Sequence, residues 1–312
     1  MNKSTIAVII PCYNGAKYLG DTIKSVVSQS YRSIEIFLID NGSSDNSLNI
    51  MKYYKNKDNR IKIIRNKKKT SKAKSINNFI KKINFKWVCL LDADDVMFKN
   101  KIKIQIKYLN NNPKVKVLSN LATYISDGHN TFGKSVTQIY NHKSAFKLVE
   151  NKKNISIMIS GAIIDRQSFL KVNGFRYEYW PCDDTDLLNR LAENKCVIYV
   201  LPKILIKYRI HYNSVTTGDF FLSRLKNDWV NNSLIRRSNK KKEISFKKFS
   251  ADLNDRNFFL KFKNILDDYS DYYFRKTIID ILEKRIILIF FNLFLSFVYN
   301  PFRFLKKIIA RV

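Results

Sequence analysis

Four short apolar runs, each separated from the next by a segment of helical spacing, constrain the first third of the chain more than any other feature. Thr5-Ile6-Ala7-Val8-Ile9-Ile10 is continuous and is closed by Pro11, which predicts a strand buried on both faces. Tyr18, Leu19, Ile23, Val26 and Val27 then recur at helical intervals. Ile34 to Ile39 is a second apolar strand, and Asp45-Asn46-Ser47 opens a second helix with a capping residue. Arg60 to Ile64 is a third strand, Ser71 to Ile83 a basic helix, and Val88 to Leu91 a fourth strand. Strand alternating with helix implies an α/β fold with a mainly parallel sheet, right-handed crossovers and helices on its flanks. In such sheets ligands sit beyond the carboxyl ends of the strands. The turn Pro11-Cys12-Tyr13-Asn14, then Asp40, then Asp92 and Asp94 are therefore expected to face one crevice.

The acids in that set stand out against the rest of the chain. The formal net charge is +31 over 312 residues, a surface that attracts polyanions such as nucleic acid, acidic lipid or phosphorylated substrates. Asp92-Ala93-Asp94-Asp95 nevertheless follows Val88-Cys89-Leu90-Leu91 directly. Clustered carboxylates at a strand end are costly unless a cation joins them, and hard divalent ions want oxygen ligands shared with phosphate. A helix start would also accommodate the acids through its dipole. The hydrophobic share of 45% allows a sizeable core, and four cysteines without a C-x-x-C pair read as reduced core thiols. The opening residues show no signal-peptide pattern, so a cytosolic active site is expected.

Between Lys114 and Tyr212 the pattern predicts short strands with helices near His142 to Glu150 and Asp186 to Glu193. Beyond Gly218 it becomes helical, basic and aromatic. Gly128 to Ser135 fits G-x-x-x-x-G-K-[ST], but β-prone Val136 to Tyr140 follows where a phosphate loop needs a helix, so a polar hairpin is expected. Ile286 to Val298 is apolar, interrupted by Asn292, and stopped by Asn300-Pro301. It is too short to span a bilayer. With Arg285 before it and Arg303, Lys306, Lys307 and Arg311 after it, it suits a helix lying on an anionic membrane. A core helix or an oligomer contact fits the same pattern.

Val8 to Asn14, Leu38 to Asp45 and Leu90 to Asp95 recur in the order and spacing of the family 2 glycosyltransferases, inverting enzymes of the GT-A fold. Cys182-Asp183-Asp184-Thr185-Asp186-Leu187 is similar to that family's acidic base motif, and Tyr208 to Thr216 to its closing motif. The resemblance covers roughly residues 4 to 217. It implies a GT-A catalytic domain over 1–218, with nucleotide-sugar binding in 1–113 and the acceptor and base half in 114–218. Residues 219–312 would form a basic, helical, membrane-associating C-terminal region.

The resemblance also implies chemistry. The donor would be a nucleotide-diphosphate sugar, usually a UDP-sugar. Pro11, Tyr13 and Asn14 would line the base pocket, and Asp40 would accept from the base imide N–H. Asp92 would lie by the ribose or the metal, and Asp94 would ligate Mn²⁺ or Mg²⁺. Arg209 and His211 would lie near the phosphates and that ion. Asp184, with Asp183 close behind, would be the base that deprotonates the acceptor hydroxyl. Asn41 stands where the family commonly has a second Asp, and Ile76 where an Arg is usual; Lys72 or Lys74 would supply that cation to the donor. The expected role is assembly of a bacterial surface polysaccharide such as O-antigen, capsule or lipooligosaccharide. The acceptor would be a glycan or lipid-linked, reached from the inner face of the plasma membrane, with homo-oligomerisation open. A nucleic-acid-binding protein and a catalytically decayed membrane scaffold are the rivals. The strand-end acids argue against the first because they repel phosphate, and the presence of Asp94 and Asp184 argues against the second.

Overall fold

The computed structural model describes residues 5–128, 130–139, 141–211, 218–254 and 258–309. Two compact units divide them: 1–124 with 133–209, and 125–132 with 210–312.

The first unit is built on strands β1 (Ile6–Cys12), β2 (Ile34–Asp40), β3 (Ile61–Arg65), β4 (Trp87–Leu90), β5 (Val96–Met97), β6 (Val115–Ile125), β7 (Thr131–Lys134), β8 (Ile163–Asp165) and β9 (Val197–Arg209). Their order is β3-β2-β1-β4-β8-β6-β9-β5, with β7 added to β6. The β3-β2-β1-β4 half is parallel. Beyond it β8 runs antiparallel to β4 and to β6, so the sheet as a whole is mixed. The strands β6 and β9 are long rather than short, at 11 and 13 residues.

Period-two alternation in β1 sets both cores. Ile6, Val8 and Ile10 pack with Leu19, Ile23 and Val26 of α1 (Ala16–Val27), Met51 of α2 (Ser47–Lys55), and Ile102 and Ile106 of α4 (Lys101–Asn111). Ala7 and Ile9 face the other way, toward Ala73, Ile76 and Ile80 of α3 (Lys72–Lys82) and Leu187, Leu188 and Leu191 of α7 (Asp183–Glu193). Two shorter helices, α5 (Ser144–Glu150) and α6 (Arg166–Lys171), complete the unit. All four cysteines are free and buried.

Pro11 does not close the first strand. It pairs with Ile39, and Cys12 pairs with Asp40. Pairing of β1 with β4 ends at Ile9, so past that point one side of β1 has no ladder, and a missing N–H costs nothing there. The segment 131–134 is a strand: Ser135 N donates to Ala122 O at 2.8 Å and Thr123 Oγ1 to Gly133 O at 2.9 Å. No helix N-terminus follows Gly133-Lys134, so the P-loop pattern has no phosphate cradle; His129 lies outside the described residues.

Gly42 ties the turn after β2 to the loop after β3. Its φ is +84°, and a Cβ there would sit 2.7 Å from the Lys68 carbonyl carbon. Asn66 N donates to Asp40 O at 2.9 Å and Thr70 N to Asn41 O at 3.1 Å, which holds the loop in place. Gly42→Ala is expected to destabilise the protein by about 1–3 kcal/mol, read as a lower urea midpoint at unchanged m-value.

The second unit is helical: α8 (Phe220–Ser238), α9 (Phe246–Asn254), α10 (Phe258–Leu282), α11 (Ile286–Tyr299) and α12 (Pro301–Ile309). No helix among the described residues is long and apolar enough to cross a membrane.

Candidate active site

Because β1, β2 and β4 are parallel neighbours, their carboxyl ends share one edge of the sheet. The turns leaving them are cross-linked by side chains. Asn14, at φ 50°, donates its amide to Ser43 Oγ at 3.0 Å and accepts through Oδ1 from Ser44 N at 2.9 Å. Asp45 accepts from Ser47 N at 3.0 Å and from Ala16 N at 2.9 Å, so one carboxylate supports the starts of both α1 and α2. Tyr13 is 43% exposed, with Lys69 Nζ 4.6 Å from its ring centroid.

Asp40, the last residue of β2, is buried. Its Oδ1 accepts from Ser43 N at 2.9 Å. Its Oδ2 is buried without a hydrogen bond, and Arg65 Nε lies 3.9 Å from it. A buried carboxylate oxygen without a donor costs free energy, and a ligand N–H would relieve it.

The exit from β4 concentrates three acids. Asp92 N donates to Ser160 Oγ at 3.1 Å, and its carboxylate pairs with Lys72 at the first position of α3. Lys72 is placed there because Ser71 caps the helix, its Oγ accepting from Lys74 N at 3.4 Å. Asp95 is fully buried and accepts from Arg209 N at 2.9 Å; burial and the repulsion of Asp94 and Asp92 raise its carboxyl well above the ordinary range. Arg209 Nε donates to Asp94 O at 2.9 Å, and its guanidinium lies over the Tyr18 ring at 4.6 Å. The end of β9 is thus hooked under the turn that carries Asp94. Beneath the same edge, burial lowers the Lys101 ammonium to about 8; it donates to Gln105 Oε1 at 2.5 Å and to Gly161 O.

Helix α7 begins three residues before the expected Asp186, so Asp183 and Asp184 occupy its first turn. Asp184 Oδ1 accepts from Thr185 N at 2.7 Å. Burial raises both carboxyls; that of Asp183, also repelled by Asp184 and eased by Lys72, reaches about 7. Burial opposes the charge on Lys72, but Asp92, Asp183 and Asp184 outweigh it and hold the ammonium protonated above its usual range. One lysine therefore joins the β4 acids electrostatically to the α7 acids. Asp186 is different. It is fully buried, bonded by Arg176 Nε at 2.9 Å and Arg190 Nε at 2.8 Å, and anchors the helix start.

The structure thus brings Asp92, Asp183 and Asp184 together around Lys72, ties the Asp94 backbone to Arg209, and places Pro11, Tyr13, Asn14 and Asp40 on the adjoining strand ends. Lys74 is exposed; Lys72 is the lysine that meets Asp92. His211 is half-buried and belongs to the second unit, and residues 212–216 of the closing motif lie outside the described residues. Asp95 and Ser160 carried no assignment from sequence. The signal for Asp95 was its adjacency to Asp94, whereas nothing local marked Ser160, which reaches Asp92 from 68 residues away.

Among the described residues no three His, Cys, Asp or Glu side chains form a cage for a metal. Two carboxylates suffice for a hard ion that takes its remaining oxygens from a diphosphate and water, and Asp92 and Asp94 at the end of β4 would be the acids to supply them.

The chain and its fold are similar to those of known proteins. The family profile described as Glycosyl transferase family 2 matches residues 7–172, more than half of the 312-residue chain. The Escherichia coli UDP-Glc:alpha-D-GlcNAc-diphosphoundecaprenol beta-1,3-glucosyltransferase WfgD is 27% identical over 232 residues, covering 73% of this chain and 85% of that protein. TarS 1-349 from S. aureus, solved with UDP, superposes with a TM-score of 0.58 at 16% identity, over 96% of this chain and 91% of that one. The mannosyltransferase PcManGT from Pyrobaculum calidifontis, solved with GDP-Man and Mn²⁺, gives 0.58 at 14% identity, over 76% of this chain and 65% of that one. The fold is GT-A with a helical C-terminal region, and the protein is a glycosyltransferase that uses a nucleotide-sugar donor. The chain belongs to glycosyl transferase family 2.

Proposed function

We propose that this protein is a metal-dependent, inverting transferase that moves a sugar from a UDP-sugar to a hydroxyl of a lipid-linked or glycan acceptor in surface-polysaccharide synthesis. The observation that carries this reading is the meeting, through Lys72, of the acids at the end of β4 with those at the start of α7. A donor and an acceptor held at these two groups are adjacent.

The base of the nucleotide would lie against the Tyr13 ring and donate its imide N–H to Asp40 Oδ2, the buried oxygen that lacks a donor. Asp94 with Asp92 would hold the divalent ion. When bound, the ion would neutralise charge on the departing diphosphate. Arg209 is a positioning residue: buried, it fixes the Asp94 carbonyl and thereby the direction of that carboxylate. Lys72 keeps Asp92 oriented and offsets repulsion between the two acid groups.

Asp184 takes the proton of the acceptor hydroxyl as its oxygen bonds the anomeric carbon and the bond to the diphosphate oxygen breaks. Attack opposite the leaving group inverts that carbon. Thr185 N fixes one Asp184 oxygen and leaves the other to accept the proton. Exposed Tyr177 and Trp180, just before α7, offer flat apolar rings to an acceptor sugar. On this reading 1–113 bind the nucleotide sugar, 114–218 supply the acceptor half and base, and 219–312 serve a membrane surface where a lipid-linked acceptor resides.

The test is release of nucleoside diphosphate from a panel of UDP- and GDP-sugars with lipid-linked acceptors and Mn²⁺. Turnover of a UDP-sugar supports the reading, and turnover confined to GDP-sugars refutes its donor. Asp40→Asn turns the bare acceptor into a mixed group and is expected to weaken UDP binding by about 10- to 100-fold, measured by calorimetry. Affinity within twofold of wild type would remove Asp40 from the base pocket.

A further inference from the structure

Helix α11 is inside out for a helix in water. It buries Asn292 and Ser296 and exposes Ile287 (84%), Phe290 (69%), Phe291 (56%) and Phe294 (63%). On α12, Phe302 is 86% exposed. Isolated exposed apolar residues are ordinary, but a contiguous stripe over two successive helices marks an interaction surface.

The buried side of the same helices is a polar seam. Asn292 Nδ2 donates to Asp280 Oδ2 at 2.7 Å. Ser296 Oγ donates to Ser270 O, and Ser270 Oγ to Ser296 O, both at 2.8 Å. Asn300 Nδ2 donates to Asp267 Oδ1 at 2.6 Å, and Arg303 grips Asp271 through Nε at 2.8 Å and Nη2 at 2.6 Å. These bonds, with Tyr299 and Phe304 packed on rings of α10, hold α11 and α12 to that helix and leave Ile287, Phe290, Phe294 and Phe302 on the outer face. Burial disfavours the charge on Asp271, yet Arg303 and Lys307 overcome it and hold its carboxyl below the usual range.

The charge pattern selects what covers that face. Asp267, Asp271 and Asp280 lie in the seam, and Lys284, Arg285 and Lys306 are exposed at the ends of the stripe. A second copy pressing the same patch would bring like charges together in a chain of net charge +31. Anionic headgroups complement those cations, at about 1 kcal/mol per residue near the surface. The 14 residues of α11 span about 21 Å, short of the ~30 Å hydrocarbon core, so the helix lies along the surface. Tyr269 and Tyr273 stack on Tyr299 at 5.0 and 5.6 Å, and tyrosine rings suit the headgroup layer.

We infer that α11 and α12 seat on an anionic phospholipid bilayer, with Ile287, Phe290, Phe294 and Phe302 entering the acyl boundary and Lys284, Arg285 and Lys306 among the headgroups. This deepens the membrane part of the proposed function and needs none of its chemistry.

The experiment is flotation of the full chain with phosphatidylglycerol vesicles and with phosphatidylcholine vesicles, without donor or acceptor. The wild type is expected to float with phosphatidylglycerol and much less with phosphatidylcholine. The exposed double substitution Phe290→Asp/Phe294→Asp should reduce flotation about tenfold or more with helix content and UDP affinity unchanged. Failure to float with phosphatidylglycerol, equal flotation with both lipids, or indifference to the double substitution would overturn the inference. So would a wild-type dimer in light scattering that the double substitution dissociates. Loss of transferase activity with flotation intact would count against the catalytic reading alone.

Discussion

Asp184→Asn is expected to lower the transfer rate by about a thousandfold while UDP affinity stays within about twofold, because a positioned general base is worth roughly 10²–10⁴. The substitution is nearly isosteric. The amide oxygen can still accept from Thr185 N, so the start of α7 keeps its geometry and only proton acceptance is lost. Asp183→Asn is the control that separates the two acids. If it carries the loss and Asp184→Asn does not, the base is Asp183. The pH profile gives a second readout. Asp183 is pushed up to about 7 by burial and by Asp184, so the fully deprotonated pair becomes the major form only above that pH. Transfer should therefore rise with pH through about 7 and then level. Asp183→Asn removes the carboxyl that titrates at about 7, so the rise through that pH should be lost.

Asp94→Ala should be of similar size or larger. Removing one electrostatic stabiliser of a developing charge costs about 10²–10³ in rate. As a proposed ligand, Asp94 would add to this its share of the ion itself, because a pair of carboxylates leaves little redundancy. The backbone around it is held independently, by Asp95 accepting from Arg209 N at 2.9 Å and Arg209 Nε reaching the Asp94 carbonyl at 2.9 Å. The variant should therefore fold normally, with a thermal midpoint near wild type in the absence of ligand. Its signature is loss of the extra stabilisation that Mn²⁺ confers in the presence of UDP. Near-normal turnover, or an intact Mn²⁺-dependent shift, would remove the metal role from Asp94.

The parallel half of the sheet was legible because its signal is local. Thr5 to Ile10, Ile34 to Ile39 and Val88 to Leu91 are apolar runs whose helices carry matching periodicity, and the strand-end acids follow from topology. Less legible was everything decided by distant partners. The start of α7 at Asp183 depends on Asp186 being neutralised by Arg176 and Arg190, one of which precedes the helix by seven residues. Lys72 rather than Lys74 meets Asp92 because Ser71 caps the helix and sets which side chain stands at the sheet edge. Arg209 was expected beside the phosphates; its burial and its contact with Asp94 O depend on β9 pairing with β5, just after Asp94, from 115 residues away. The apolar run at 286–298 left a core helix, an oligomer contact and a membrane helix open; only the polar seam to α10 shows which face it buries.

On the proposed reading, acids from separate strands and from α7 gather where a divalent ion and a nucleoside diphosphate bind together. Thermal midpoints with UDP and GDP, each with Mn²⁺ or with EDTA, test it most directly. UDP is expected to raise the midpoint by several degrees with Mn²⁺ and by little with EDTA. Equal stabilisation in EDTA, or none by either nucleotide, would contradict it.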